Sequence, residues 1–113
     1  MLLNKQQIKD VDDLPSKNLD MPEWGGEVRL KTMSAKNRIE FEKLNASTKS
    51  ELETMINLIM FSCVDEENNL LFNKQDFEFL SGKSAKSLMH IFEEAVKLST
   101  LSSEGLEDKA KNS

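Results

Sequence analysis

The chain has 113 residues with a net charge of −5, and 31% of them are charged against 38% hydrophobic. This is the composition of one modest folded domain, not of a disordered segment. The acidic balance argues against a nucleic-acid partner, because Lys5, Lys9, Lys17, Lys31, Lys36 and Arg38 lie scattered among acids instead of clustering to neutralise phosphates. A single cysteine, Cys63, rules out an intrachain disulfide. With no charged leader before an apolar core, a reducing cytosol is the expected compartment. The longest apolar stretch, Leu58 to Val64, is interrupted by Ser62 and is far shorter than the roughly 20 residues that span a bilayer, so no membrane segment is expected.

Asn4 to Val11 reads as a short helix with Asn4 as N-cap and Leu3 and Ile8 on its apolar side. It ends at Asp12 to Ser16, where Pro15 disfavours helix at Leu14 and leads the chain into an extended run. The stretch Met21-Pro22-Glu23-Trp24-Gly25-Gly26 then reads as a turn. Leu19 and Met21 before it, and Val28, Leu30 and Thr32 after it, recur at every second position. That is the pattern of a hairpin with one buried face, from about Lys17 to Met33, with Gly25 and Gly26 supplying positive φ in the connection.

Everything after Met33 reads as helical. Ser34 caps a helix to about Leu44 with a mixed apolar pattern. Thr48 and Glu51 form a capping-box pair for the next helix, whose apolar positions are Leu52, Met55, Ile56, Ile59, Met60 and Cys63. Leu58 and Phe61 widen that face, which points to burial on more than one side. Asp65 to Asn69 is an acidic loop, and Leu70 to Phe72 is a short strand or a hydrophobic anchor. Asn73 caps a short helix that Gly82 ends in left-handed conformation. Ser84 starts the last helix, with Leu88, Ile91, Phe92, Ala95 and Val96 on one face as far as about Leu101. The expected fold is mainly α, about four helices with a small N-terminal antiparallel β-hairpin. It forms a single domain over residues 1–101 with a polar, disordered tail over 102–113.

Candidate chemistry is sparse. Asp65, Glu67, Asn69 and Asp76 fall at positions 1, 3, 5 and 12 of an EF-hand spacing, but Leu70 stands where the loop needs glycine and Asp76 is shorter than the usual glutamate. A solvated interhelical loop is the better reading, and no metal site is assigned. His90 is the sole histidine, so Cys63 and His90 are the only available nucleophile and base. Both lie in amphipathic helices, Cys63 on a buried stripe and His90 beside a core face, and a structural role is preferred. Neither catalytic nor cofactor-binding residues are assigned, and no enzymatic activity is expected. Trp24 reads either as a core plug for the hairpin, the preferred reading, or as an exposed interface anchor. Met55, Ile59 and Met60 are first of all core, but such methionine-rich faces also repack against varied apolar partners. These four residues form the candidate partner or self-association surface.

Taken together, Met21-Pro22-Glu23-Trp24-Gly25-Gly26-Glu27-Val28, Val64-Asp65-Glu66 with Leu71-Phe72, and Asp76 to Leu80 before a serine-rich helix start resemble the tail assembly chaperones of long-tailed, non-contractile bacteriophages and their prophages. Asn68-Asn69 departs from the glycine-containing turn expected there. The resemblance implies a non-enzymatic protein in the host cytoplasm that holds the tape measure protein soluble during tail assembly and is absent from the mature virion. It also implies self-association, the tail tube protein as a further partner, and a longer frameshifted form of the same chain, for which Ala110-Lys111-Asn112-Ser113 is compatible with a slippery codon run. The competing reading is a small acidic regulatory protein that binds and inhibits a host factor.

Overall fold

The structure, a computed structural model, describes residues 1–111, with side chains through residue 99. Five helices and a three-stranded antiparallel sheet follow in the order α1 (Lys5–Asp10), β1 (Ser16–Met21), β2 (Gly26–Lys31), α2 (Ala35–Ala46), α3 (Glu51–Ser62), β3 (Cys63–Val64), α4 (Phe77–Ser81) and α5 (Ala85–Lys111). The fold is therefore mainly α with a small antiparallel sheet, as expected.

The β1–β2 hairpin is in register from Ser16 opposite Lys31 to Met21 opposite Gly26. Its connection is a 3₁₀ turn over Pro22–Trp24, with proline at the start and Gly25 closing it at φ 80°. Of the two turn glycines only Gly25 has positive φ; Gly26 is already the first residue of β2, contrary to the expectation that both glycines serve the turn. The alternation does bury one face: Leu19, Met21 and Leu30 are in the core. The sheet has a third member that local pattern did not reveal, because Cys63 and Val64 leave the helix and pair with Leu30 and Arg29.

Helix α3 is buried on two sides, which explains its wide apolar face. One side, with Leu58, Ile59 and Cys63, joins Leu19, Met21 and Leu30 of the sheet and Leu88, Ile91 and Ala95 of α5 in the main core. The other side gives Ile56 and Met60 to a second cluster with Leu80, flanked by Leu44, Phe72 and Phe77. The N-cap of α3 is Ser50, whose hydroxyl accepts from the Glu53 backbone N–H at 3.1 Å, and not Thr48. The Thr48 hydroxyl is already engaged: it donates to the Leu44 carbonyl at 3.0 Å and accepts from buried Asn57 at 3.1 Å, tying the end of α2 to α3.

Other caps follow the sequence. Asn4 and Gln7 form a reciprocal capping box on α1, Ser34 caps α2, and Asn73 with Asp76 caps the turn into α4. Gly82 differs, since it follows α4 at φ −86° in right-handed conformation. Helix α5 was expected to end near Leu101, but its backbone is helical to Lys111; the added stretch holds no proline to stop it. The side chains of the expected tail, 102–113, lie outside those described, as do Asn112 and Ser113 entirely.

Candidate functional site

The feature best suited to a partner is an apolar groove between the first turns of α3 and the adjoining stretch of α5. Helix α5 carries two stripes. Leu88, Ile91 and Ala95 face the main core, while Met89, Phe92 and Val96, one position further at each step, form a second stripe at i, i+3 and i+7. Met89 is 44% exposed and Val96 40%, and across the seam α3 presents Leu52, 42% exposed, and half-buried Met55. Leu52, Met55, Met89 and Phe92 line a space of about 660 Å³, with Lys49 and Glu51 at its lip. Met55 and Phe92 also pack against the main core, so the groove floor is continuous with it. The result is a concave, mainly apolar surface between two helices, with Thr48, Ser50 and Thr54 as its polar lining and charge at its border.

The four residues expected to form a partner surface are not brought together. Met55 lines the groove, but Ile59 is fully buried in the main core and Met60 lies in the second cluster. Trp24 sits on the hairpin connection, 37% exposed and outside both clusters; Met21, fully buried, fills the plug position instead. The physical reason is that α3 is sandwiched, leaving only its first turns open. Met89 and the exposed aspect of Leu52 were missed. A signal was available in the paired apolar residues Leu88-Met89, Ile91-Phe92 and Ala95-Val96, which make α5 apolar over a wider arc than one core contact requires.

Cys63 is fully buried among aliphatic side chains, and burial pushes its thiol up to about 12, so it stays protonated near neutral pH. His90, expected beside the core face of α5, is at an exposed position. The acidic loop is folded on itself: Asp65 Oδ1 accepts from the backbone N–H of Glu67 at 2.8 Å and of Asn69 at 3.0 Å, and Asn68 takes the left-handed conformation at φ 67°. Asn68 thus serves where glycine was expected, and Val64 bridges to Leu70 across the turn. Asp76 instead accepts from the Asn73 N–H. Among the described residues no group of three or more His, Cys, Asp or Glu could hold a metal ion, and no helix is long and apolar enough to cross a membrane.

Comparison with known proteins separates sequence from shape. Neither a family model nor a curated protein matches the chain. Among solved structures, the bacteriophage HK97 tail assembly chaperone matches at a TM-score of 0.57 and 14% identity, over 82% of this chain and 90% of that one. At that identity the likeness is one of fold, shared with a tail assembly chaperone, the family that the stretch from Pro22 to Gly26 resembles. The chain has the fold of a tail assembly chaperone.

Proposed function

We propose that the protein is a phage tail assembly chaperone that keeps the tape measure protein soluble until the tail tube encloses it. The observation that carries this reading is the shared fold over most of both chains. The groove lined by Leu52, Met55, Met89 and Phe92 supplies the physical means, because a helical client exposes apolar faces before assembly and an open apolar seam on a soluble acidic carrier covers them. Net negative charge keeps the loaded complexes apart. In this reading the protein acts in the host cytoplasm without enzymatic activity and does not enter the mature virion. The tail tube protein and a longer frameshifted form of the chain are further partners.

Co-expression tests the reading. A long helical protein encoded beside the tail tube gene should move from the pellet to the supernatant when this chain is present. Leu52→Asp with Met89→Asp should return it to the pellet while thermal stability stays close to wild type. A candidate client that is equally insoluble with and without this chain removes the chaperone reading and leaves a regulatory role on a host factor as its rival.

A further inference from the structure

Asn57 of α3 is only 4% exposed, yet half of its side-chain amide is left unused. The Thr48 hydroxyl spends its proton on the Leu44 carbonyl and therefore accepts from Asn57, which fixes the amide nitrogen towards Thr48 at 3.1 Å and Asn45 at 3.3 Å. The Asn57 oxygen then accepts from no other described residue. It is not sealed in, since no fully buried side-chain oxygen among the described residues lacks a partner. It opens instead on a cleft between the end of α2, α3 and the turn into α4. Leu44, Met60 and Phe77 give this cleft apolar walls that continue the second cluster. Its volume of about 280 Å³ lies under the roughly 300–1,000 Å³ of sites for drug-sized ligands, and so matches a single side chain.

We propose that this cleft binds the indole ring of a tryptophan presented by a partner protein, with the indole N–H donating to Asn57 Oδ1 and the ring against Leu44, Met60 and Phe77. The position of the acceptor selects the group. Because Asn57 is nearly enclosed, the donor must sit on the far edge of whatever enters, where an indole carries it and a backbone N–H does not. The hydrogen-bond inventory narrows the choice further. Both Asn57 amide hydrogens are taken, and the Ser47 and Thr48 hydroxyls both donate to the Leu44 carbonyl, so the inner wall offers an acceptor and no donor. An indole only donates and is fully satisfied there, whereas a phenol or an amide brings an acceptor that goes unpaired. Charge gives no preference for an ion, since exposed Glu53 and Lys74, of opposite sign and neither in an ion pair with a described residue, both border the cleft. The site lies apart from the α3–α5 groove lining of Leu52, Met55, Met89 and Phe92 and does not depend on the chaperone reading.

Titration of the isotope-labelled full chain with N-acetyltryptophanamide, followed by NMR, tests it. The Asn57 side-chain amide and the Phe77 ring signals should shift together and saturate. The benzothienylalanine analogue, in which sulfur replaces the indole N–H, is at least as apolar but cannot donate, and it should bind about tenfold more weakly. N-acetyltyrosinamide should also bind more weakly. Ser47→Arg, at an exposed position on the rim, should abolish the shifts while circular dichroism stays that of wild type. The comparison of ligands on the wild-type chain holds whether or not that variant folds. Absence of a saturable shift at Asn57, equal or tighter binding of the sulfur or tyrosine analogue, or a folded Ser47→Arg that binds like wild type each overturns the proposal. Free indole that binds more tightly than the amide overturns the protein-borne source.

Discussion

Ser87, buried in the first turn of α5, donates its hydroxyl to the Glu23 carboxylate at 3.0 Å, joining the hairpin connection to the long helix. The Glu23 carboxyl is held below its ordinary value of 4.5, first by its own backbone N–H and then by Ser87. A carboxylate with a lowered folded pKa contributes stability that is present above the unfolded value and is lost as pH falls through the folded one. Glu23→Gln should therefore lower the urea midpoint relative to wild type near neutral pH, and the gap should close below pH 4.5. Asp12 and Glu94, also held low by Lys31 and Lys17, remain in both proteins and cancel from the difference. A gap independent of pH would show that the carboxylate charge plays no part in the link.

Burial separates residues that the helical period alone groups together. Ile59 is fully enclosed in the main core, so Ile59→Ala should cost roughly 2–5 kcal/mol through lost transfer energy and a residual cavity. Leu52→Ala, at an open position on the same helix, should stay within about 1 kcal/mol of wild type. Chemical denaturation of the two variants checks the ordering. Equal losses would mean that the groove is closed in solution. Trp24, outside both clusters, should emit at long wavelength and be readily quenched by acrylamide in the native state.

What could be read from the sequence was what neighbours in sequence decide. The Asn4, Ser34 and Asn73 caps, the alternation around Leu19 and Leu30 and the two-sided face of α3 all depend on residues within one or two turns. Contacts made across the fold could not be read. Thr48 and Ser50 each have a glutamate three residues on, and Thr48 lost the cap because Leu44 and Asn57 engage its hydroxyl. Cys63 continues the helical stripe of α3 in sequence but pairs as strand with Leu30. The groove needed two helices to be set side by side, so only Met55 of its lining was singled out as a partner residue.

The Cys63 thiol, pushed up to about 12 by burial, should react with iodoacetamide only when the protein opens. Native alkylation should be slow and should accelerate across the urea transition. Rapid modification of the folded protein would contradict the burial of Cys63 and restore a nucleophile to the argument. Linkage adds a second consequence. Because the folded pKa is raised from an ordinary value of 9.0, the stability this group confers is present below pH 9.0 and is lost as pH rises towards about 12. Cys63→Ala should flatten that alkaline loss.

Asn68 combines two roles that substitution can separate. Its backbone lies at φ 67°, and its side-chain oxygen accepts from Arg29 Nη1 at 3.0 Å, while Arg29 Nε donates to Asn18 at 3.0 Å. The acidic turn is thereby tied to the hairpin. Asn68→Val places a β-branched side chain in the left-handed region and removes the acceptor, so it should destabilise by roughly 1–3 kcal/mol. Asn68→Gly keeps the backbone conformation at no steric cost and loses only the exposed hydrogen bond, so it should fall within about 1 kcal/mol of wild type. Thermal melts of the two variants decide between conformation and contact: if glycine is as damaging as valine, the Arg29 bond holds the turn, and if both are silent the left-handed backbone at Asn68 is wrong.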